Sequence, residues 1–200
     1  TRLQGDWSSD VCSSDLEWEL NGFLIDKEKI KSEFYKEMGL PFHMEWDINF
    51  SNYIPKMALF VSKYAHCFLD LLARYQANEW PIHIPIVISN HQEWQTIVEN
   101  LNIPFYYLPI SKENKTEQEA IQLELMEQYK IDFIVLARYM QILGSNFIHK
   151  FPNKIINIHH SFLPAFPGAK PYHSAFDRGV KIIGATSHYV TDELDTGPII

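Results

Sequence analysis

Cysteine is almost absent from this chain: Cys12 and Cys67 are its two thiols, far apart and without CxxC or Cys/His spacing. Neither a disulfide framework nor a zinc knuckle is expected, and Cys67, inside an apolar helical pattern, reads as a small buried hydrophobe rather than a nucleophile. Long apolar runs are also lacking. None approaches the roughly 20 residues of a membrane-spanning helix, and no segment has the charged, apolar, small-residue order of a secretory signal, so no membrane partner is expected and a cytoplasmic location follows by default. Basic blocks are missing as well. The net charge is −8 and the lysines are scattered, which removes nucleic acid from the expected partners.

What is present is a globular composition, 46% hydrophobic and 21% charged over 200 residues, enough for one good core and part of a second. Residues 1–16 carry the near-repeat Trp7-Ser8-Ser9-Asp10-Val11-Cys12-Ser13-Ser14-Asp15-Leu16. It has neither helical nor strand periodicity, looks like a translated sequencing adaptor, and is set aside as a non-native leader.

From residue 17 to 50 the pattern predicts a short strand around Trp18 and Leu20. A helix follows, opened by Asp26 with Ile30, Phe34 and Met38 on one face and ended by Gly39 at its C′ position, and then a second strand over 43–50. Strand, helix, strand in so short a stretch is too little for an independent core, so it reads as a piece of a small α+β domain. After a linker at 51–55, apolar runs at 57–61, 84–88, 105–108, 133–137 and 154–158 alternate with helical patterns at 65–75, 92–100 and 116–130. Uninterrupted Val/Ile/Leu runs between helices predict an α/β fold with a mainly parallel sheet covered on both faces. In such sheets ligands bind at the carboxyl ends of the strands. A short helix closing over 175–179 and a strand over 181–191 carrying His188 follow. Residues 197–200 read as a strand just starting, so the C-terminus reads as cut.

The informative stretch is Ile155-Ile156-Asn157-Ile158-His159-His160-Ser161-Phe162-Leu163-Pro164. On an extended segment Asn157 and His159 share one face, and Ile156 and Ile158 take the other. An amide donor and an imidazole two residues apart at a sheet mouth can both reach one carbonyl oxygen, which is the equipment for stabilising an oxyanion. On spacing alone, the ordinary reading comes first: Asn157 closing a turn and His159 a satisfied core histidine. Pro164, Pro167-Gly168 and Pro171 make a stiff loop that could hold a lid near the strand ends, or an ordinary surface loop. Asp192, Glu193 and Asp195 lie together in a turn, the usual place for solvated acids. A carboxylate from that turn beside His159 would favour the imidazolium and could orient a water, so acid and base steps could run without a metal. His159, His160, His173 and His188 could suggest a metal site, but no HExxH or carboxylate-rich spacing supports one.

Together, Asn157-x-His159, Ser161-Phe162-Leu163-Pro164, Pro167-Gly168 and Asp192-Glu193-Leu194-Asp195-x-Gly197-Pro198-Ile199 resemble the folate-dependent formyltransferase and formyl-hydrolase family. His159-His160, Lys170-Pro171-Tyr172-His173, Gly184-Ala185-Thr186, the run Ala137-Arg138-Tyr139-Met140-Gln141-Ile142-Leu143 and Ser62-Lys63-x-x-His66-Cys67 resemble its formyl-hydrolase branch most closely. The glycinamide-ribonucleotide formyltransferases of the family carry a glycine-rich phosphate-binding turn after the first strand, whereas Ser62-Lys63-Tyr64-Ala65 has no glycine to make one. Water is therefore the expected acceptor.

The resemblance implies a formyltransferase-like, Rossmann-type catalytic domain over 56–200, truncated at its C-terminus, behind the rear part of an ACT-type regulatory domain at 17–50. It implies hydrolysis of 10-formyltetrahydrofolate to formate and tetrahydrofolate, supplying formate for purine synthesis and balancing one-carbon folate pools. Asn157, His159 and Asp195 would be catalytic, with the folate held by the loops of Arg138, Tyr139, Met140, Gln141, Ile142 and Leu143 and of Val190, Thr191 and Asp192. Ser62, Lys63 and His66 would form the acceptor-side turn. The partner implied is a small-molecule folate, with no permanently bound cofactor and no metal, in a homo-oligomer of the intact protein. Two other readings stay open: formyl transfer to an amine such as glycinamide ribonucleotide, and a catalytically silent folate-binding regulatory module.

Overall fold

Backbone groups need partners, and in this chain that requirement separates the apolar runs that become strands from those that do not. The computed structural model describes residues 4–6, 13–64, 66–166, 168 and 171–200. Expectations resting on Cys12 and the rest of 7–12, on Ala65, Pro167 and Lys170 lie outside the described residues. The chain divides into two compact units, Thr1–Tyr53 and Ile54–Ile200.

In the first unit β1 (Gln4–Asp6) pairs antiparallel with β2 (Ser13–Asp15), Gln4 opposite Asp15. No strand is expected there from the side chains, but a backbone ladder this short needs no side-chain periodicity. Helix α1 (Lys27–Phe34) starts after Asp26 as predicted and buries Ile30, then widens into a single π-turn, Tyr35–Gly39. Met38 is exposed, and Gly39 does not take the left-handed C′ conformation expected of it. A Cβ at Gly39 would collide with the Trp46 indole, so glycine is required there for close approach rather than for capping. The strands expected around Trp18 and Leu20 and over 43–50 do not form. Among the described residues neither segment has a neighbouring strand, and an unpaired extended segment leaves its N–H and C=O groups to water.

The second unit is a six-stranded sheet in the order β5-β4-β3-β6-β7-β8. Its strands are β3 (Lys56–Val61), β4 (His83–Ser89), β5 (Phe105–Tyr107), β6 (Phe133–Ala137), β7 (Ile155–His159) and β8 (Thr186–Tyr189). All pairings are parallel except β7 with β8. Helices α2 (His66–Gln76), α3 (Gln95–Asn100), α4 (Lys115–Tyr129), α5 (Ser145–Lys150) and α6 (Pro171–Asp177) complete the unit.

Strand alternation divides the core in two. Ala58, Phe60, Ile86, Ile88, Ile134 and Leu136 pack with Leu125, Met126, Phe147 and Ile148 of α4 and α5. Leu59, Val61, Val87, Val135 and Ala137 pack with Phe68 and Leu72 of α2 and Val98 of α3. Both faces are thus covered, as the unbroken apolar runs require. Cys67 is half-buried on α2 against the second cluster, and burial pushes its thiol up.

Two details differ from expectation. The last strand is shorter than 181–191, because its ladder with β7 covers only residues 186–189 while Ile182 and Ile183 remain exposed. Helix α5 is not expected from the sequence; it has only six residues, with Phe147 and Ile148 buried.

Candidate active site

The strand order reverses direction between β3 and β6, and that reversal opens a crevice at the carboxyl ends of the two strands. Ser62, just past β3, ties the crevice together. Its hydroxyl donates to Asn90 Oδ1 at 2.6 Å and accepts from Met140 N–H at 3.1 Å, while its carbonyl accepts from Trp94 Nε1 at 3.0 Å. The segment from Arg138 to Leu143 is held from the other side by α4. Gln122 Nε2 donates to Tyr139 Oη at 3.0 Å, and Gly144 N–H donates to Glu119 Oε1 at 2.9 Å.

Asn157 and His159 leave β7 on one face, as alternation requires, with Ile156 and Ile158 against the opposite apolar cluster. Asp195 reaches them because the chain turns back after β8: Tyr189 N–H bonds Pro198 O at 2.9 Å, and Gly197 sits so close to the Tyr189 carbonyl that a Cβ there would collide with it. Asp195 itself has φ 59°. Its Oδ1 lies 3.5 Å from His159 Nδ1 and 3.8 Å from His188 Nε2, and Oδ2 accepts from Gly168 N–H at 2.9 Å. The side chains of His159 and Asp195 are each only 5% exposed.

Both ring nitrogens of His159 face acceptors. Nε2 is 3.0 Å from Phe166 O, which also accepts from Ser161 Oγ at 2.5 Å, and Nδ1 faces the Asp195 carboxylate. A ring protonated on both nitrogens would have a proton for each. His188 holds a different tautomeric position. Its Nδ1 is 2.9 Å from Tyr189 O, so Nδ1 carries the proton and Nε2 is the acceptor for Asn157 Nδ2 at 3.1 Å. That bond fixes which end of the Asn157 amide is nitrogen and leaves its second N–H without a partner among the described residues.

A cavity of about 280 Å³ is lined by Asn157, His159 and Asp195, by the whole Arg138 to Leu143 segment, and by Val190, Thr191 and Asp192. The structure therefore gathers nearly all the residues singled out in the sequence at one cavity. Ser62, Lys63 and His66 do not line it; Ser62 acts on it through Met140. Sequence reasoning passed over His188 and His160 as site residues, although both line the cavity. The period-two position of His188 on the strand next to Asn157 was the available signal. Burial, followed by the charges of Arg138 and His159, holds His160 below the ordinary imidazole range. Asp192 is held below the usual carboxylate range by Ser145 first and then by His149, whose Nε2 is 2.8 Å away. Of the four histidines, His173 stays apart, and among the described residues no group of three or more His, Cys, Asp or Glu has a geometry that could hold a metal ion. No helix among them is long and apolar enough to cross a membrane.

Comparison with known proteins gives a match to the formyl transferase family over residues 55–200. A formyltetrahydrofolate deformylase of Synechocystis sp. is 50% identical over 195 residues, covering 98% of this chain and 68% of that protein. One from Bacillus subtilis is 49% identical over 185 residues, covering 92% of this chain and 61% of that protein. The crystal structure of a formyltetrahydrofolate deformylase from Pseudomonas syringae pv. tomato superposes with a TM-score of 0.81 at 44% identity, over 92% of this chain and 59% of that one. The chain thus spans about three fifths to two thirds of the length of these relatives.

Proposed function

From the premise that this chain belongs to the formyl transferase family, and within it to the formyltetrahydrofolate deformylases, we propose that it hydrolyses 10-formyltetrahydrofolate to formate and tetrahydrofolate. The observation that carries the reading is the meeting of His159 and Asp195 at 3.5 Å beside Asn157, at the wall of one cavity.

In the proposed reaction the folate lies against the Arg138 to Leu143 and Val190 to Asp192 segments, with its formyl carbon at Asn157 and His159. Asp195 orients a water and takes its proton as the oxygen adds to the formyl carbon. The free N–H of Asn157 and the His159 imidazolium receive the developing oxyanion, His159 Nε2 exchanging Phe166 O for it. The carbon–nitrogen bond then breaks, the folate nitrogen takes up a proton, and the formyl carbon leaves as formate with two oxygens, one of them from water. Over the cycle one water is consumed and one proton is released. Every group is supplied by the chain, with no resident cofactor in the scheme.

Water rather than an amine is the acceptor in this reading because the Ser62-Lys63-Tyr64 turn has no glycine, and the Ser62 hydroxyl is committed to Asn90 and Met140. The same reading takes a small-molecule folate as the partner, a cytoplasmic location, a homo-oligomer of the intact protein and formate supply to purine synthesis. It takes residues 17–50 as part of an ACT-type domain.

The test is formate release from 10-formyltetrahydrofolate by the chain and by Asn157, His159 and Asp195 variants. Near-normal turnover in all three variants removes the mechanism. Acceleration by glycinamide ribonucleotide moves the assignment to formyl transfer, and tight folate binding without formate release leaves a silent folate module.

A further inference from the structure

Arg138 takes a left-handed backbone conformation, φ 59°, directly after β6. That conformation favours glycine, yet a long cationic side chain occupies it. The guanidinium Cζ lies 5.9 Å from the centre of the Tyr64 ring, and its charge is felt at Cys67 and at His160. Among the described residues its Nε is buried without a hydrogen-bond partner, and no carboxylate pairs with the group. Of the three carboxylates lining the cavity, Asp195 is committed to His159 and Gly168 and Asp192 to His149, and Glu193 makes no ion pair with Arg138 among the described residues. A cation brought to a cavity wall without a counter-charge is arranged for an anion that comes and goes.

His160 supplies the second half. Its ring is held between His159, at 5.3 Å, and Tyr172, also at 5.3 Å. Among the described residues its nitrogens make no hydrogen bond, and it lines the same cavity as Arg138, Asn157 and His159. Two side chains without a hydrogen-bonded protein partner among the described residues therefore line the same cavity as Asn157 and His159. We propose that Arg138 and His160 form a binding site for a small planar monocarboxylate, and that its occupant is the formate produced in the reaction. A guanidinium offers two parallel N–H groups to the two oxygens of a carboxylate, and the ring N–H of His160 adds a third donor. Formate formed at Asn157 and His159 then moves onto Arg138, leaving the catalytic groups free for the next water. The site rests on the deformylase reading for the identity of its occupant, and on the unpaired guanidinium for its existence.

The test separates the two. Carbon-13 formate is titrated into the folate-free chain at constant ionic strength, with sodium chloride as the control anion and acetate as the larger carboxylate. Saturable formate binding is expected, with acetate weaker because of its methyl group. Arg138→Met should weaken formate at least tenfold, Arg138→Lys less, and His160→Leu severalfold with partial recovery in His160→Gln. Amide spectra of each variant establish that it is folded, and Arg138→Lys keeps a cation over Tyr64 where Met does not. No saturable binding to the unaltered chain, or affinities within twofold in both Arg138→Met and His160→Leu, overturns the site. Formate release is measured on the same preparation. Release without formate binding overturns the site and leaves the deformylase reading standing. Arg138-dependent binding in a chain that releases no formate overturns the assignment of the occupant as product.

Discussion

Asp195 Oδ1 stands 3.5 Å from His159 Nδ1, with both side chains almost wholly withdrawn from solvent, and the same carboxylate accepts the Gly168 N–H through its other oxygen. One side chain thus orients the imidazole and anchors the loop after it. Asp195→Asn keeps an oxygen for Gly168 and removes the charge and the base. The expected outcome is a loss of roughly 10²–10⁴ in kcat for formate release, the range of a positioned general base, with little change in thermal midpoint. A variant whose kcat stays within a few-fold of the unaltered chain would show that Asp195 holds the loop and does not take the proton.

Ser62→Ala separates the turn after β3 from the cavity it braces. The side chain is buried, and its removal leaves Asn90 Oδ1 and Met140 N–H without their partner. The cost to folding should be about 1–3 kcal/mol, the range for stranded buried polar groups, read from urea denaturation. Met140 lies in the segment proposed to hold the folate, so KM should rise more than kcat falls.

Much of this architecture was legible because a strand covered on both faces writes a continuous apolar run. Residues 57–61, 84–88 and 133–137 could hardly be anything else, and they became β3, β4 and β6. The same rule failed at Trp18, Leu20 and 43–50, where residue patterns suited to strands meet no neighbouring strand. Periodicity reports which way side chains point, whereas a ladder depends on what lies alongside. In the site, Asn157 and His159 were readable from alternation, but the arrival of Asp195 depends on the return of the chain after β8. His188 acts through its lone pair on Asn157, and a tautomer set by the Tyr189 carbonyl has no sequence signature.

His160 makes stability depend on pH in a defined direction. Its folded value lies below the ordinary 6.5, through burial first and then through Arg138 and His159. The unfolded chain therefore binds the proton more readily. Stability from this residue is fully present above about 6.5 and is lost as the pH falls toward and through the folded value. Urea midpoints measured from pH 8 to pH 5 should decline, and His160→Gln should flatten the part of the decline that begins near pH 6.5. An identical slope in the variant assigns that part to other histidines.

The orientation of the Asn157 amide gives the sharpest prediction. Tyr189 O keeps the proton on His188 Nδ1, so Nε2 presents a lone pair that the Asn157 Nδ2 group must meet. His188→Leu removes that acceptor and lets the amide turn its oxygen toward the cavity, where it would repel the oxyanion it is proposed to stabilise. Misdirecting a group at the reacting carbon costs up to roughly 10²-fold. The loss should appear in kcat with KM nearly constant, because the segments proposed to hold the folate do not depend on this bond. His188→Gln returns an acceptor oxygen to the strand face and should recover most of the rate, an outcome that a purely structural role for His188 does not predict. If Leu and Gln lower kcat equally while both variants keep the unaltered thermal midpoint, the bond between His188 and Asn157 does not set the amide, and the donor to the oxyanion must be sought elsewhere on the cavity wall.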